Sequence, residues 1–280
     1  MIILELRPAH DFLLLLQAAG MARSTYYYYI KRSKMADKYG PIKIAITQLF
    51  LEHKGRYGYR RMLYALRKLK FVINHKTVLR LMNLLGLKSM IRIKKYKSYK
   101  GEQGKIAPNI IQRQFSAERP LQKWATDVTE FSVAGKKLYF SPIIELFNGE
   151  IISYSLSLRQ NFLQITEMLN NALKKIPKDT NLILHSDQGW LYQMRRYQSI
   201  LKKNGILQSM SRRGNCLDNA IIENFFGTIK SEMFYTKKYR SIKELQKDII
   251  EYVNYYNKDR IRLNLKGMSP MQYRAHVLNV

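Results

Sequence analysis

The sequence predicts an α/β protein in two parts, an all-α helix-turn-helix domain followed by a mixed sheet flanked by helices. Three observations carry that expectation. Apolar residues recur at helical spacing from Pro41 to Gly86. At Trp124 the composition turns to β-branched and aromatic runs. Beyond Phe162 helix-like and strand-like stretches alternate, and 280 residues are enough for two cores.

Residues 1–37 form an N-terminal helical segment. Its longest apolar run, Phe12 to Leu16, is too short to cross a bilayer, and Glu5, Arg7 and Asp11 spoil a signal peptide. A soluble, cytoplasmic protein with no membrane partner is expected. In the unit 38–90, Pro41 suits a first helical position, and Ile42, Ala45 and Leu49 then keep one face apolar. After Gly55-Arg56-Tyr57-Gly58, Met62, Leu66 and Leu69 step at i, i+4, i+7. Asn74 suits the cap of a third helix, where Val78, Met82 and Leu85 repeat that spacing and Gly86 ends it. Two short helices across a tight break predict a helix-turn-helix.

The net charge of +29 points to a polyanionic partner. Between His53 and Gly101 stand fifteen Lys or Arg and no Asp or Glu, the footprint of a nucleic-acid surface. Lys76, Arg80 and Asn83 share the outer face of the third helix, where they can reach bases and phosphates. Arg60 and Arg61 in "GYRRML", and Lys94 and Lys95 in a basic linker over 91–120, are further candidate DNA contacts. The single cysteine, Cys216, excludes internal disulfides and a cysteine-built zinc site.

Residues 121–280 carry the sheet. "WATDVTEFSV", "KKLYFSPIIELF" and "EIISYSLSL" predict three strands, with Asn148-Gly149 as a hairpin turn. A helix from Phe162 to Lys175, a strand Leu182 to Leu184, a helix through Tyr197 and the strand "ILQSM" follow. A strand over 124–131 sets Asp127 on one face with Ala125, Thr129 and Phe131, an unusual place for an acid. Asp187 ends the apolar run in "LILHSDQGW". In "NCLDNAIIENFFGTIKSEMF", Ile221, Phe225, Ile229 and Met233 form a buried stripe, leaving Glu223 in a row with Asn219, Gly227 and Lys230. Singly, Glu223 and Lys230 read as surface residues. Together, three converging acids repel, by about 4 kcal/mol for a pair near 4 Å at an effective dielectric of about 20. They require raised pKa values or cations. Carboxylates suit Mg²⁺, and two such ions can clamp both oxygens of a phosphoryl displacement. Beside a DNA-binding region, that chemistry is strand cleavage or joining.

Thirty-five residues separate Asp187 from Glu223. With "WATDVTEF", "HSDQGW" and "GNCLDNAIIENFFGTIKSE", the chain closely resembles the DDE transposases of bacterial insertion sequences. In detail it resembles the OrfB product of the family with two overlapping reading frames, which shares a ribonuclease H-like core with retroviral integrases. "GYRRMLYALRKLKFVINHKTVLRLMNLLGL" is similar to that family's helix-turn-helix, and "YNKDRIRLNLKGMSPMQY" to its C-terminal end. The resemblance implies a five-stranded ribonuclease H-like core. It makes Asp127, Asp187 and Glu223 the metal-binding triad, and Lys230 a basic residue contacting DNA at the catalytic site. It implies two divalent ions, Mg²⁺ with Mn²⁺ as a substitute. The implied partners are terminal inverted repeats, target DNA, an upstream OrfA product or OrfA–OrfB fusion, and further copies in a multimer on the bacterial nucleoid. No heptad run near the start is long enough for a zipper, so the chain alone is expected to bind DNA weakly. Glu145 stands where many relatives have Asp and receives no catalytic role. His185, Asn219 and Cys216 receive none either. The alternative is a non-catalytic helix-turn-helix regulator, which has no use for three acids in register. A covalent recombinase using Tyr26 to Tyr29 needs an Arg/His cluster, and the five scattered histidines form none.

Overall fold

The structure is a computed structural model describing residues 2–35, 37–89, 106–177, 180–212 and 216–278. It opens with α1 (Ile2–Leu6), α2 (Phe12–Ala18) and α3 (Arg23–Lys34). Asp11 caps α2, its carboxylate accepting from the Leu13 and Leu14 amides at 2.9 and 3.1 Å. Of the tyrosine run only Tyr26 is buried, edge-on to Phe12.

Next come α4 (Gly40–Glu52), α5 (Tyr59–Lys68) and α6 (His75–Leu84). Pro41 lies in the first turn of α4, and Asn74 caps α6 through the Lys76 amide at 2.8 Å. Ile46, Met62, Leu66, Val78, Leu81 and Met82 form their core. Leu69, expected on the buried stripe, is exposed because α5 ends at Lys68 and the chain turns out through Lys70 at φ +65°. That core also takes in Ile261 from far along the chain.

The sheet comprises β1 (Lys123–Thr126), β2 (Thr129–Val133), β3 (Lys136–Glu145), β4 (Ile151–Ser157), then, after α7 (Phe162–Leu173), β5 (Ile183–Ser186). The short α8 (Trp190–Gln193) and α9 (Arg195–Lys203) lead to β6 (Leu207–Met210). Its six strands lie in five rows. β1 and β2 follow one another along the same edge of β3 in unbroken register, Thr126 opposite Ile143 and Thr129 opposite Phe140. The strand expected over 124–131 is therefore real but interrupted, and the gap falls at Asp127-Val128. β4 pairs the other side of β3, antiparallel, while β5 and β6 extend the sheet in parallel. The hairpin turn needs its glycine. Gly149 has φ +73°, and a Cβ there would stand 1.5 Å from the Arg262 guanidinium.

The last helices are α10 (Ala220–Glu232), α11 (Ile242–Lys258) and α12 (Pro270–Leu278). One sheet face packs Trp124, Ile143, Ile152 and Leu184 against α7, α8 and α9. The opposite face packs Ala125, Phe131, Phe140 and Ile144 against α10 and α11. Period-two alternation along β1 thus sends neighbouring residues into different cores. Among the described residues no helix is long and apolar enough to cross a membrane.

Candidate active site

β1 and β5 run parallel with Trp124 opposite Leu184 and Ala125 opposite His185. The same register carried two residues further sets Asp127 opposite Asp187, just past the last paired residues of both strands. Adjacent strands lie about 4.8 Å apart, so the topology alone makes these two carboxylates neighbours. Each is held by a local turn. Asp127 Oδ1 accepts from the Val128 amide at 2.7 Å, and Asp187 Oδ1 from the Gly189 amide at 2.9 Å. A side chain at Gly189 would push on that same carboxylate, since a Cβ there would stand 2.9 Å from Asp187 Oδ1.

Glu223 arrives from above. Ile222, Phe225, Phe226, Ile229 and Met233 seat α10 on the sheet face that Ala125 and Phe131 share, and Glu223 lies in the first turn of that helix. Burial raises the Asp127 pKa well above the ordinary range, and the charges of Asp187 and Glu223 raise it further, while the Val128 amide and Lys230 oppose. Burial also raises Asp187, and burial and then Asp187 raise Glu223. The three acids and Lys230 share one electrostatic site, all partly buried. Lys230 Nζ also lies 5.4 Å from the centre of the Phe131 ring. Among the described residues no three acid, His or Cys side chains are already closed into a metal-holding group. An all-oxygen donor set whose charges strain one another nonetheless fits a hard divalent cation.

Three residues without an assigned role acquire surroundings. Asn219, one turn before Glu223, is buried with neither side-chain polar atom hydrogen-bonded, beside a site suited to an oxygen-rich ligand. His185 is fully buried, its Nδ1 2.8 Å from Ser209 Oγ on β6. Burial lowers its pKa, against the Asp218 backbone and charge. Asp218 itself was not singled out in the sequence. Its buried carboxylate takes Arg212 at 2.9 and 3.0 Å, Arg113 at 2.9 Å and Asn109 at 2.9 Å, fastening the segment before β1 to the start of α10. The Arg212 guanidinium overcomes burial and holds Asp218 well below the usual carboxylate range. Glu145 is likewise engaged, accepting from Trp124 Nε1 and the Leu121 amide, both at 2.9 Å. Of Cys216 only the backbone, in a short 3₁₀ turn, is described.

The candidate DNA contacts divide. Lys76, Arg80 and Asn83 are exposed together on α6, around a shallow depression that Tyr59 and His75 also line. Arg80 lies over the Tyr39 ring at 5.3 Å, and Arg60 is exposed at the start of α5. Arg61 does not join them. Its guanidinium turns inward to Glu232 Oε1 at 3.0 Å, a partner 171 residues away that no local pattern reveals. Lys94 and Lys95 lie outside the described residues.

Family models match in three stretches, an HTH-like domain over 41–95 and integrase core domains over 117–216 and 223–278. The chain is 53% identical over 270 residues to a protein described as transposase InsK for insertion sequence element IS150 of Escherichia coli, covering 96% of this chain and 95% of that one. It is 34% identical to the transposase for insertion sequence element IS904 of Lactococcus lactis, covering 82% of this chain and 92% of the relative. Among solved structures, a chain of the simian T-cell lymphotropic virus intasome aligns with a TM-score of 0.49 at 13% identity, covering 72% of this chain and 67% of that one. Integrase core and HTH-like domain together define an integrase-type polynucleotidyl transferase. The chain belongs to the OrfB-type DDE transposases of bacterial insertion sequences.

Proposed function

We propose that this chain is the catalytic subunit that binds the ends of its insertion sequence, cuts them and joins them to target DNA by direct transesterification. The observation that supports this is the β1–β5 register, which continued two residues brings Asp127 opposite Asp187, together with the charges of Asp187 and Glu223 acting on Asp127. In the hydrolytic step, a water oxygen attacks phosphorus and the P–O3′ bond breaks, freeing a 3′ hydroxyl. In the joining step, that hydroxyl attacks a target phosphodiester, loses its proton and displaces a 3′ oxygen, so no covalent protein intermediate forms. Asp127, Asp187 and Glu223 would hold two divalent ions, Mg²⁺ or Mn²⁺, which supply charge stabilisation at the attacking and leaving oxygens. Lys230 adds a fixed positive charge beside the acids for the scissile phosphate. Arg60, Lys76, Arg80 and Asn83 contact the terminal repeats, with Lys94 and Lys95 following the phosphate backbone. The OrfA product, or an OrfA–OrfB fusion, and further copies of the chain complete a multimer on the bacterial nucleoid.

A regulator using only the helix-turn-helix gains nothing from acids that raise one another's pKa. Incubation with labelled element ends and Mg²⁺, resolved on a denaturing gel, separates the two. The parent should nick at the element end, while Asp127→Asn, Asp187→Asn and Glu223→Gln should lose cleavage and joining but keep metal-free DNA affinity. Near-parental activity in any one of the three removes that residue from the site. A parent that never cuts removes the enzyme reading.

A further inference from the structure

Glu232 ends the helix that carries Glu223 in its first turn, roughly 13 Å away at 1.5 Å per residue. Its carboxylate is buried and accepts from four donors on three side chains. Arg260 Nε and Nη2 reach it at 2.8 and 2.7 Å, Tyr252 Oη at 2.9 Å, and Arg61 Nη1 at 3.0 Å. Arg260 and Tyr252 belong to the C-terminal part of the core, but Arg61 belongs to α5. We propose that Glu232 and Arg61 are positioning residues, a clamp that fixes the DNA-reading helices to the catalytic helix α10 so that a bound end meets the acids in one register.

The surrounding contacts point the same way. Arg56, in the turn before α5, donates from Nε to the Glu232 carbonyl at 3.1 Å and lies over the Tyr255 ring at 4.5 Å. Tyr57, fully buried and stacked on His53, donates to the Asp259 carbonyl and accepts from the Ile261 amide, each at 3.0 Å. Gly267, at φ +76°, lets Tyr64 approach so closely that a Cβ would stand 2.1 Å from its ring. The stretch "YNKDRIRLNLKGMSP" thus has a task in the structure, which is to receive the turn "HKGRYGYR". Directional bonds to a buried carboxylate suit a clamp, because they tolerate only one alignment of α5 with α10. Apolar contact alone is not directional.

This inference rests on the proposed function only for where cleavage occurs. The test uses the full chain with Arg61→Ala, Arg61→Lys and, from the far side of the interface, Gly267→Ala. Arg61→Ala should leave duplex affinity and its salt dependence at parental values. Had Arg61 been neutralising a phosphate, the log–log slope would instead fall by roughly 0.9, and that result would return Arg61 to the DNA surface and sink the clamp. Correct end cleavage should fall on the order of a hundredfold, with products spread over neighbouring phosphates. Arg61→Lys should recover part of the positional accuracy, and Gly267→Ala should scatter the products as Arg61→Ala does. The parent should unfold in one thermal transition and Arg61→Ala in two. Parental cleavage position together with one transition overturns the proposal. If the parent itself does not cut, the function fails while the unfolding traces still decide the clamp.

Discussion

A carboxylate that is buried and also shares its field with two others is worse off folded than unfolded, and Asp127 is such a residue. Replacing it with Asn removes the repulsion without changing the volume. In chelator-treated protein at neutral pH, Asp127→Asn should therefore raise Tm, by about 2–4 °C per kcal/mol relieved. A lowered Tm would mean that the charge is already compensated by the chain. Glu232 shows the opposite sign. Burial pushes its pKa up, but Arg260 and then Arg61 outweigh that and lower it to about 2. Its contribution to stability is then complete above the ordinary glutamate range near 4.3 and is lost as pH falls through about 2. The Tm gap between the parent and Glu232→Gln should be widest near neutral pH and close across that window. A gap independent of pH would show that the carboxylate charge is not what Arg260 holds.

At the scale of elements, the sequence and the structure agree where the information is local. Pro41 in the first turn of α4, the Asn74 cap and the Asn148-Gly149 hairpin depend on residues within a few positions of one another, and each appears as expected. Ala125 and Phe131 share a core, as period two requires, but the break at Asp127-Val128 was not legible because it arises from the turn that the acid makes with its own neighbour's amide. Long-range partners were equally hidden. Arg61 and Arg60 are adjacent and chemically identical, yet one reaches Glu232 while the other stays exposed beside its neighbour Tyr59. Lys76 and Arg80 are exposed on α6, the helix proposed to contact the element ends. Lys76→Ala with Arg80→Ala should weaken binding and lower the log–log salt slope by roughly 0.9 for each phosphate no longer neutralised. Unchanged affinity and slope would move the recognition face elsewhere.

For the molecule as a whole, the basic surplus has two uses that composition cannot separate. Part of it faces outward on α6, while Arg56 and Arg61 bind the helix-turn-helix to the core. Removing one partner of a buried ion pair strands the other, at a cost of about 3–5 kcal/mol, whereas replacing the whole group with apolar residues of similar size is often neutral or stabilising by roughly 1–4 kcal/mol. The two outcomes separate stability from alignment. Arg260→Met alone should destabilise the chain strongly, because Glu232 would keep only Arg61 and Tyr252. Arg61→Met, Glu232→Leu and Arg260→Met combined should recover the parental Tm or exceed it. Apolar side chains hold the interface together without selecting one alignment of α5 against α10, so the combined variant should bind element ends normally and still cut them at scattered phosphates. Thermal unfolding and cleavage mapping on the same preparations measure both. A combined variant that is stable and also cuts at the parental position would show that packing alone sets the register, and that the buried charges serve no alignment.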